Sequence, residues 1–288
     1  MRQRLKEKLS TNVPSEMLRQ IYNSFDIVGD IAIIKTLSLD NVNAEKVANQ
    51  IMAIHKGVKT VFAQTSPVIG DYRVRTLSLL GGEDRTETRC KERGCVFSVD
   101  LAKCYFSPRL LFERSRLAGV VKKGEIVVNM FAGVGCFSII IAKTACPTQV
   151  YSIDINPEAV KYMEENVKLN RVYGKVTPLL GDSKEIVAAK LRWKADRVLM
   201  PLPEKALEYL PDALSALKEG GGWIHFYAFQ HAVGNEDPIG KTKQKVAAKL
   251  DSLSASYSFG VSRIVRSTGP NWYQTVLDIK VGPLPSKF

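Results

Sequence analysis

The chain has 288 residues, 45% of them hydrophobic, which is enough apolar material to bury a substantial core as one large or two modest domains. No apolar run approaches the roughly 18 to 20 residues needed to span a bilayer, and the charged start, Met1 to Lys8, has no apolar stretch behind it, so a soluble, cytoplasmic protein is expected. A formal net charge of +12, from 41 basic and 29 acidic residues, is compatible with a polyanionic partner without demanding one.

In chain order, the pattern predicts first an α+β module. It comprises a helix over Ser15 to Asn23, a strand over Asp30 to Lys35, an amphipathic helix from about Ala44 to Ile54, and strands over Thr60 to Phe62 and Arg73 to Leu80. A hairpin then joins Thr86 to Cys90 with Val96 to Asp100 through Glu92-Arg-Gly94. From about Leu111 a helical pattern leads into strands at 125–130, 149–153, 175–180, 195–200, 220–227, 257–264 and 273–281, with helices between most of them. Alternating β and α units imply a doubly wound parallel sheet, and the last two strands read as an antiparallel hairpin at its edge. The expected division is an N-terminal domain over 1–107 and an α/β domain over 108–288.

Five cysteines at irregular spacing make no disulfide framework, and no paired CxxC offers a zinc site. Cys90 and Cys95 are placed to face each other across the hairpin, either as reduced thiols or as one opportunistic bridge. His55, His225 and His231 stand apart from any ligand-spaced cluster, so no metal is implied. Basic residues gather at Arg2, Arg4, Lys6 and Lys8, at Arg73, Arg75, Arg85 and Arg89, at Arg109, Arg114, Arg116, Lys122 and Lys123, and at Lys241, Lys243, Lys245, Arg263 and Arg266. Several flank the predicted pocket, as a phosphate-rich substrate would require.

That pocket is read from Glu125-Ile-Val-Val-Asn-Met-Phe-Ala-Gly-Val-Gly-Cys-Phe-Ser-Ile139 and Val150-Tyr-Ser-Ile-Asp-Ile-Asn-Pro157: a buried strand, a glycine turn, a helix, then a strand ending in an acid. Gly133 and Gly135 permit a sharp turn and close approach of a ligand, and Asp154 falls about 20 residues on, within reach of ribose hydroxyls. The third glycine of the dinucleotide fingerprint is replaced by Ser138, so a nucleoside cofactor without a pyrophosphate fits better, S-adenosylmethionine being the commonest. A Gly-x-Gly after a strand is as often a plain structural turn; the acid at the right distance, and Asp182 in Leu180-Gly-Asp182 as an acceptor for the adenine amino group, favour the ligand.

Between the two modules, in Lys103-Cys-Tyr-Phe-Ser-Pro-Arg-Leu-Leu-Phe-Glu-Arg114, Pro108 stops a strand and opens a helix, with Arg109 near its start and Glu113 and Arg114 one turn on. Glu113 is an acid between cations: either a surface ion pair, or a general base kept charged by arginines at the mouth of the cofactor pocket.

The run Phe97 to Arg114, then Asn129-Met-Phe-Ala-Gly-Val-Gly-Cys-Phe-Ser138, Ile153-Asp-Ile-Asn-Pro157 and Asp196-Arg-Val-Leu-Met200, resembles the archaeal and eukaryotic tRNA (guanine-37-N1)-methyltransferase family from about Pro14 onward. The resemblance implies a seven-stranded Rossmann-like methyltransferase sheet preceded by a smaller RNA-reading domain, S-adenosylmethionine as cofactor, the tRNA anticodon loop as partner, and a monomer with no obligate protein partner. It implies that Glu113 is the general base and that Arg73 reaches guanine O6. Tyr105, Arg109 and Arg114 line the cofactor and target-base site, and Phe131, Ala132, Gly133, Gly135, Asp154, Ile155, Asn156, Asp182 and Ser183 hold the cofactor. The chemistry suits these types: guanine N1 carries a proton that a carboxylate must remove while a cation stabilises charge on O6, and the base must be turned out of its loop.

Two departures stand out. After the fourth strand the chain reads Met200-Pro-Leu-Pro203, with Pro201 where the family usually has asparagine, so Pro201 and Pro203 either bear on base selectivity or fix the loop. The chain also starts almost directly at the second domain of longer relatives, so elbow reading is expected to be either absent or supplied by other surfaces, such as the basic N-terminal segment. Rival readings are a wyosine-pathway enzyme at the same position, either a carbon-7 methyltransferase or an aminocarboxypropyl transferase, a non-catalytic RNA-binding protein, and a nicotinamide dehydrogenase.

Overall fold

The computed structural model describes residues 5–10, 13–36, 41–68 and 70–284, so Arg2 and Arg4 lie outside the described residues. The chain divides into two compact units, Met1–Arg109 and Leu110–Phe288.

In the N-terminal unit, α1 (Leu5–Leu9) and α2 (Ser15–Gln20) precede a sheet of β1 (Ile21–Val28), β2 (Ile31–Thr36), β3 (Thr60–Gln64) and β4 (Leu77–Gly82), in that spatial order. β2 and β3 run parallel, with α3 (Asn41–Ile54) as the crossover between them; the other neighbours are antiparallel. Ala44, Val47, Ala48 and Ile51 form the i, i+3, i+4, i+7 stripe of α3 and are all buried. Val47, Ala48 and Ile51 share a core with Ile21, Ala32, Ile34 and Val61, which is why the hydrophobic periodicity located this helix.

β5 (Glu87–Glu92) and β6 (Cys95–Asp100) form a separate hairpin whose turn, Arg93-Gly94, has φ of 50° and 75°. Two successive left-handed residues suit the twist of a two-residue hairpin. Its register sets Cys90 opposite Phe97 and Cys95 opposite Glu92, so the two cysteines are not the cross-strand pair that their spacing suggested. The helix expected to reach Asn23 stops at Gln20; Tyr22 to Asp26 carry no clean alternation, and pairing with β2 makes them a strand. Arg73, expected to open a strand, sits in a turn with φ of 53°, and β4 begins only at Leu77.

The C-terminal unit is a seven-stranded sheet in the order β12-β13-β11-β10-β7-β8-β9. Its strands are β7 (Ile126–Asn129), β8 (Gln149–Asp154), β9 (Val176–Leu180), β10 (Arg197–Met200), β11 (Gly222–His231), β12 (Tyr257–Gly269) and β13 (Trp272–Val281). The five from β11 to β9 run parallel, and β13 is antiparallel to both β11 and β12. The helix α4 (Leu111–Val120) leads into the sheet, and α5 (Cys136–Thr144), α6 (Pro157–Leu169), α7 (Ser183–Ile186), α8 (Leu210–Ala216) and α9 (Pro238–Ser252) connect its strands. Val128, Val198, Ile224, Leu277 and Ile279 from four strands pack with Leu210, Leu214, Val246 and Leu250 from α8 and α9. Short strands buried on both faces explain why these segments read as continuous apolar runs. No described helix is long and apolar enough to cross a membrane.

Candidate active site

In an open parallel sheet, ligands bind beyond the carboxyl ends of the strands, where the chain turns into the next helix. Here β7 ends at Asn129, and Met130 to Gly135 form the turn into α5. Gly133 and Gly135 both have positive φ, 55° and 89°. A Cβ on Gly135 would stand 2.9 Å from Met163 Cγ of α6, so this glycine is needed for close packing of helix against turn as well as for its backbone conformation. Ser138, at the missing third-glycine position, is buried and bonded to Asn129 Nδ2 (3.1 Å) and Ser152 Oγ (2.7 Å), linking α5 to β7 and β8.

Asp154, the acid ending β8, accepts from the Gly133 amide (2.6 Å) and the Asn156 amide (3.0 Å), and so ties the two turns together. Burial pushes its carboxyl above the usual range, with the amides of Asn156 and Gly133 opposing that shift. A carboxylate has about four acceptor positions, so two amides leave capacity for ribose hydroxyls. Asn156 caps α6 by accepting from Glu158 N at 3.0 Å, and Ile155 is exposed.

Asp182 caps α7 through Lys184 N (2.8 Å) and accepts the Tyr209 hydroxyl (2.8 Å). Burial, then the Asp182 carboxylate, push the Tyr209 phenol well up, so Tyr209 is a donor. Ser183 donates to the Met130 carbonyl, and the Tyr209 ring packs edge-on against Phe131 at 5.2 Å. The β7 turn, the β9 turn and Tyr209 are thereby joined, with Ala132 buried beside them against Val160 and Met163. Tyr209 lies 27 residues from Asp182, and no spacing signal marks it. After β10, Pro201 is half-buried and Pro203 buried at the start of the turn toward α8.

The first turn of α4 is unusual for a packed helix. Its buried residues are Glu113, Arg114, Leu117 and Ala118, so two charges face inward. Buried charges persist only if paired and hydrogen-bonded, and Glu113, 1% exposed, is surrounded by donors. Oε1 accepts from Arg116 Nη2 (2.8 Å) and Tyr227 Oη (2.6 Å), and Oε2 from Arg263 Nη2 (3.0 Å), while Arg116 Nε sits 3.1 Å from both oxygens. Burial and the charge of Glu113 push the Tyr227 phenol far up, so Tyr227 is a fixed donor. Of the two readings open for Glu113, the surface ion pair fails in its setting: the pair exists, but inside the unit. Tyr227 in turn packs on Phe137 (centroids 6.3 Å), and Arg114 stacks over the same ring at 5.8 Å. Phe137 stands in the first turn of α5, two residues after Gly135, so Glu113 and Arg114 are joined to the helix that the glycine turn opens.

The N-terminal unit gathers its own candidates. The Arg73 guanidinium lies over the Tyr105 ring at 4.3 Å, Arg109 pairs with Asp26 at 2.7 Å, and burial lowers the Arg75 pKa, opposed by Asp26 and aided by the charge of Arg109. Several predicted phosphate contacts are already occupied within their units: Arg85 with Asp30 and Glu83, Arg109 with Asp26, Lys241 with Glu236, and Arg116 and Arg263 with Glu113.

A parallel sheet with one antiparallel strand inserted beside its edge, a glycine turn after β7 and an acid ending β8 define the class: a Rossmann-like methyltransferase. Residues 88–253 match the TRM5/TYW2 methyltransferase domain, and residues 5–86 match the TYW2 N-terminal domain. The chain is 42% identical over 271 residues to the tRNA (guanine(37)-N(1))-methyltransferase Trm5b of Pyrococcus abyssi, covering 94% of this chain and 78% of that protein. The crystal structure of wild-type Trm5b from Pyrococcus abyssi superposes with a TM-score of 0.82 at 40% identity, over 94% of this chain and 78% of that one. The tRNA 4-demethylwyosine(37)-methyltransferase Taw21 of Saccharolobus solfataricus is 40% identical over 264 residues, 91% of this chain and 95% of that protein. A structure of M. jannaschii TYW2 in complex with AdoMet gives a TM-score of 0.65 at 28% identity, over 91% of this chain and all (100%) of that one. The chain belongs to the TRM5/TYW2 methyltransferase family.

Proposed function

We propose that this protein transfers the methyl group of S-adenosylmethionine to N1 of guanosine 37 in tRNA, with Glu113 as the general base. The observation that carries the reading is the Glu113 carboxylate, buried among donors and linked through Tyr227 and Phe137 to the helix opened by the glycine turn. The residues present fit the cofactor: Asp154 has acceptor capacity for ribose hydroxyls, Asp182 and Tyr209 offer polar groups for adenine, and the left-handed glycines bring backbone close. S-adenosylmethionine supplies a methyl group on a positively charged sulfur.

Glu113 takes the N1 proton of the flipped guanine, which makes N1 a nucleophile, and Arg73 supplies the cation for charge gathering on O6. Donors already occupy both carboxylate oxygens, so one must withdraw before a proton is accepted. Arg263, whose side chain is 29% exposed against 13% for Arg116, is the donor able to turn away. The N-terminal unit serves the RNA, with Arg73 and Tyr105 as its contributing side chains.

A second reading, methylation of carbon 7 on the 4-demethylwyosine precursor at the same position, is favoured by Pro201: it offers no side-chain amide to a guanine edge, and the Taw21 likeness is nearly as strong. One experiment decides between them. Unmodified tRNA and tRNA carrying the tricyclic precursor are each incubated with isotopically labelled cofactor, and the product nucleosides are identified by mass spectrometry. N1-methylguanosine from the first is expected; label only in the second establishes the carbon-7 reading, and label in neither overturns both.

A further inference from the structure

Glu113 is one end of a buried polar chain that crosses the sheet. Arg116 donates to Glu113 on its Nε side and to Asp278 of β13 on the other, with Nη1 to Oδ2 at 2.6 Å and Nη2 to Oδ1 at 3.0 Å. Asp278 Oδ1 also meets His225 Nδ1 of β11 at 2.6 Å, and His225 Nε2 meets Arg197 Nη1 of β10 at 2.7 Å. Arg197 ends the chain on Glu125, donating from Nε (2.9 Å) and Nη2 (3.0 Å).

Arginine has donors only, so His225 Nε2 is the acceptor, and Nδ1 carries the proton and donates to Asp278. Burial, aided by the charges of Arg197 and Arg116 and opposed by Asp278, lowers the imidazole pKa, consistent with a neutral ring. Three carboxylates (Glu113, Asp278, Glu125) then face three guanidiniums (Arg116, Arg197, Arg263), and the chain as a whole is neutral. Burial raises the Asp278 carboxyl, but hydrogen bonds from His225 and Arg116 outweigh it and hold the group below the usual range, so it stays ionised.

A guanidinium is a planar fork, and fixing one side fixes the direction of the other. We propose that Asp278 is a positioning residue for Glu113, acting through Arg116: it locks the arginine plane and so sets the direction in which the base presents its carboxylate. His225 holds Asp278 from behind. Displacement of a reacting group by about 1 Å costs on the order of 10²-fold in rate, so the lock is kinetically significant even though Asp278 touches no substrate. The inference rests on Glu113 being the base.

The test compares Asp278→Asn and Arg116→Lys with Glu113→Gln in single-turnover methylation of tRNA, with affinity for S-adenosylhomocysteine measured in parallel. The groups facing Glu113 are Arg116 on α4, Tyr227 on β11 and Arg263 on β12, and those facing Asp278 are Arg116 and His225, so the pH profile reads this set. Asp278→Asn is expected to lower the rate on the order of 10²-fold, to leave cofactor affinity within a factor of about two, and, by removing a negative charge, to move the acid limb of the rate profile to lower pH. Arg116→Lys keeps the charge but loses the fork, so its rate should fall comparably even if Asp278→Asn does not fold. Wild-type rates in both variants beside an inactive Glu113→Gln overturn the positioning role alone, as does a rate loss matched by lost cofactor affinity with an unmoved acid limb. An active Glu113→Gln instead removes the base itself, and this inference with it.

Discussion

At the scale of single residues, the site pairs each acid with a distinct set of donors. Asp154 accepts from backbone amides, and burial raises its pKa. The ionised form is the one that accepts two ribose hydroxyls, so cofactor affinity should fall as pH drops, beginning above the range in which an ordinary aspartate titrates. Isothermal titration with S-adenosylhomocysteine checks this: Asp154→Asn should lose roughly 1 to 3 kcal/mol of affinity and also lose that pH dependence. Glu113, Asp154 and Asp182 were singled out as candidates because each stands at a strand end or helix start, where short-range spacing carries meaning. Tyr227 and Asp278 were not, since they reach α4 from 114 and 162 residues away and only the strand register brings them there. Tyr209 was hidden for the same reason on a shorter scale.

At the scale of elements, the turn between β7 and α5 is the most constrained. Gly135 combines a φ of 89° with a neighbour 2.9 Å from the Cβ it lacks. Gly135→Ala should therefore cost about 1 to 3 kcal/mol of stability, seen as a lower thermal midpoint, and should weaken cofactor binding because the turn shifts away from α6. An unchanged midpoint and affinity would mean that the turn yields freely. The two glycines and the seven C-terminal strands were legible because buried parallel strands produce short apolar runs between helical patterns. β1 and the true start of β4 were not, since edge pairing and a left-handed arginine at 73 decide them rather than local preference. The inward charges of α4 carry no hydrophobic stripe, so the sequence leaves its first turn open between a surface ion pair and a general base at the pocket mouth.

At the scale of the whole molecule, a charge of +12 overstates what is free to meet a polyanion. Arg85 is held by Asp30 and Glu83, whereas Lys122 and Lys123 are exposed. Each lysine that neutralises a phosphate contributes about 0.7 to 0.9 to the slope of log affinity against log salt. Removing Lys122 and Lys123 together should flatten the slope of tRNA binding, while Arg85→Ala should leave it unchanged and lower stability instead; a slope altered equally by both would contradict the assignment. The composition signalled a basic protein, but only the fold separates structural cations from spare ones. The most direct test of the central claim is the single-turnover rate of Glu113→Gln on unmodified tRNA with saturating cofactor. Proton removal by a buried carboxylate predicts a loss of about 10²- to 10⁴-fold with cofactor affinity retained. A rate within a few-fold of the unaltered protein would contradict it.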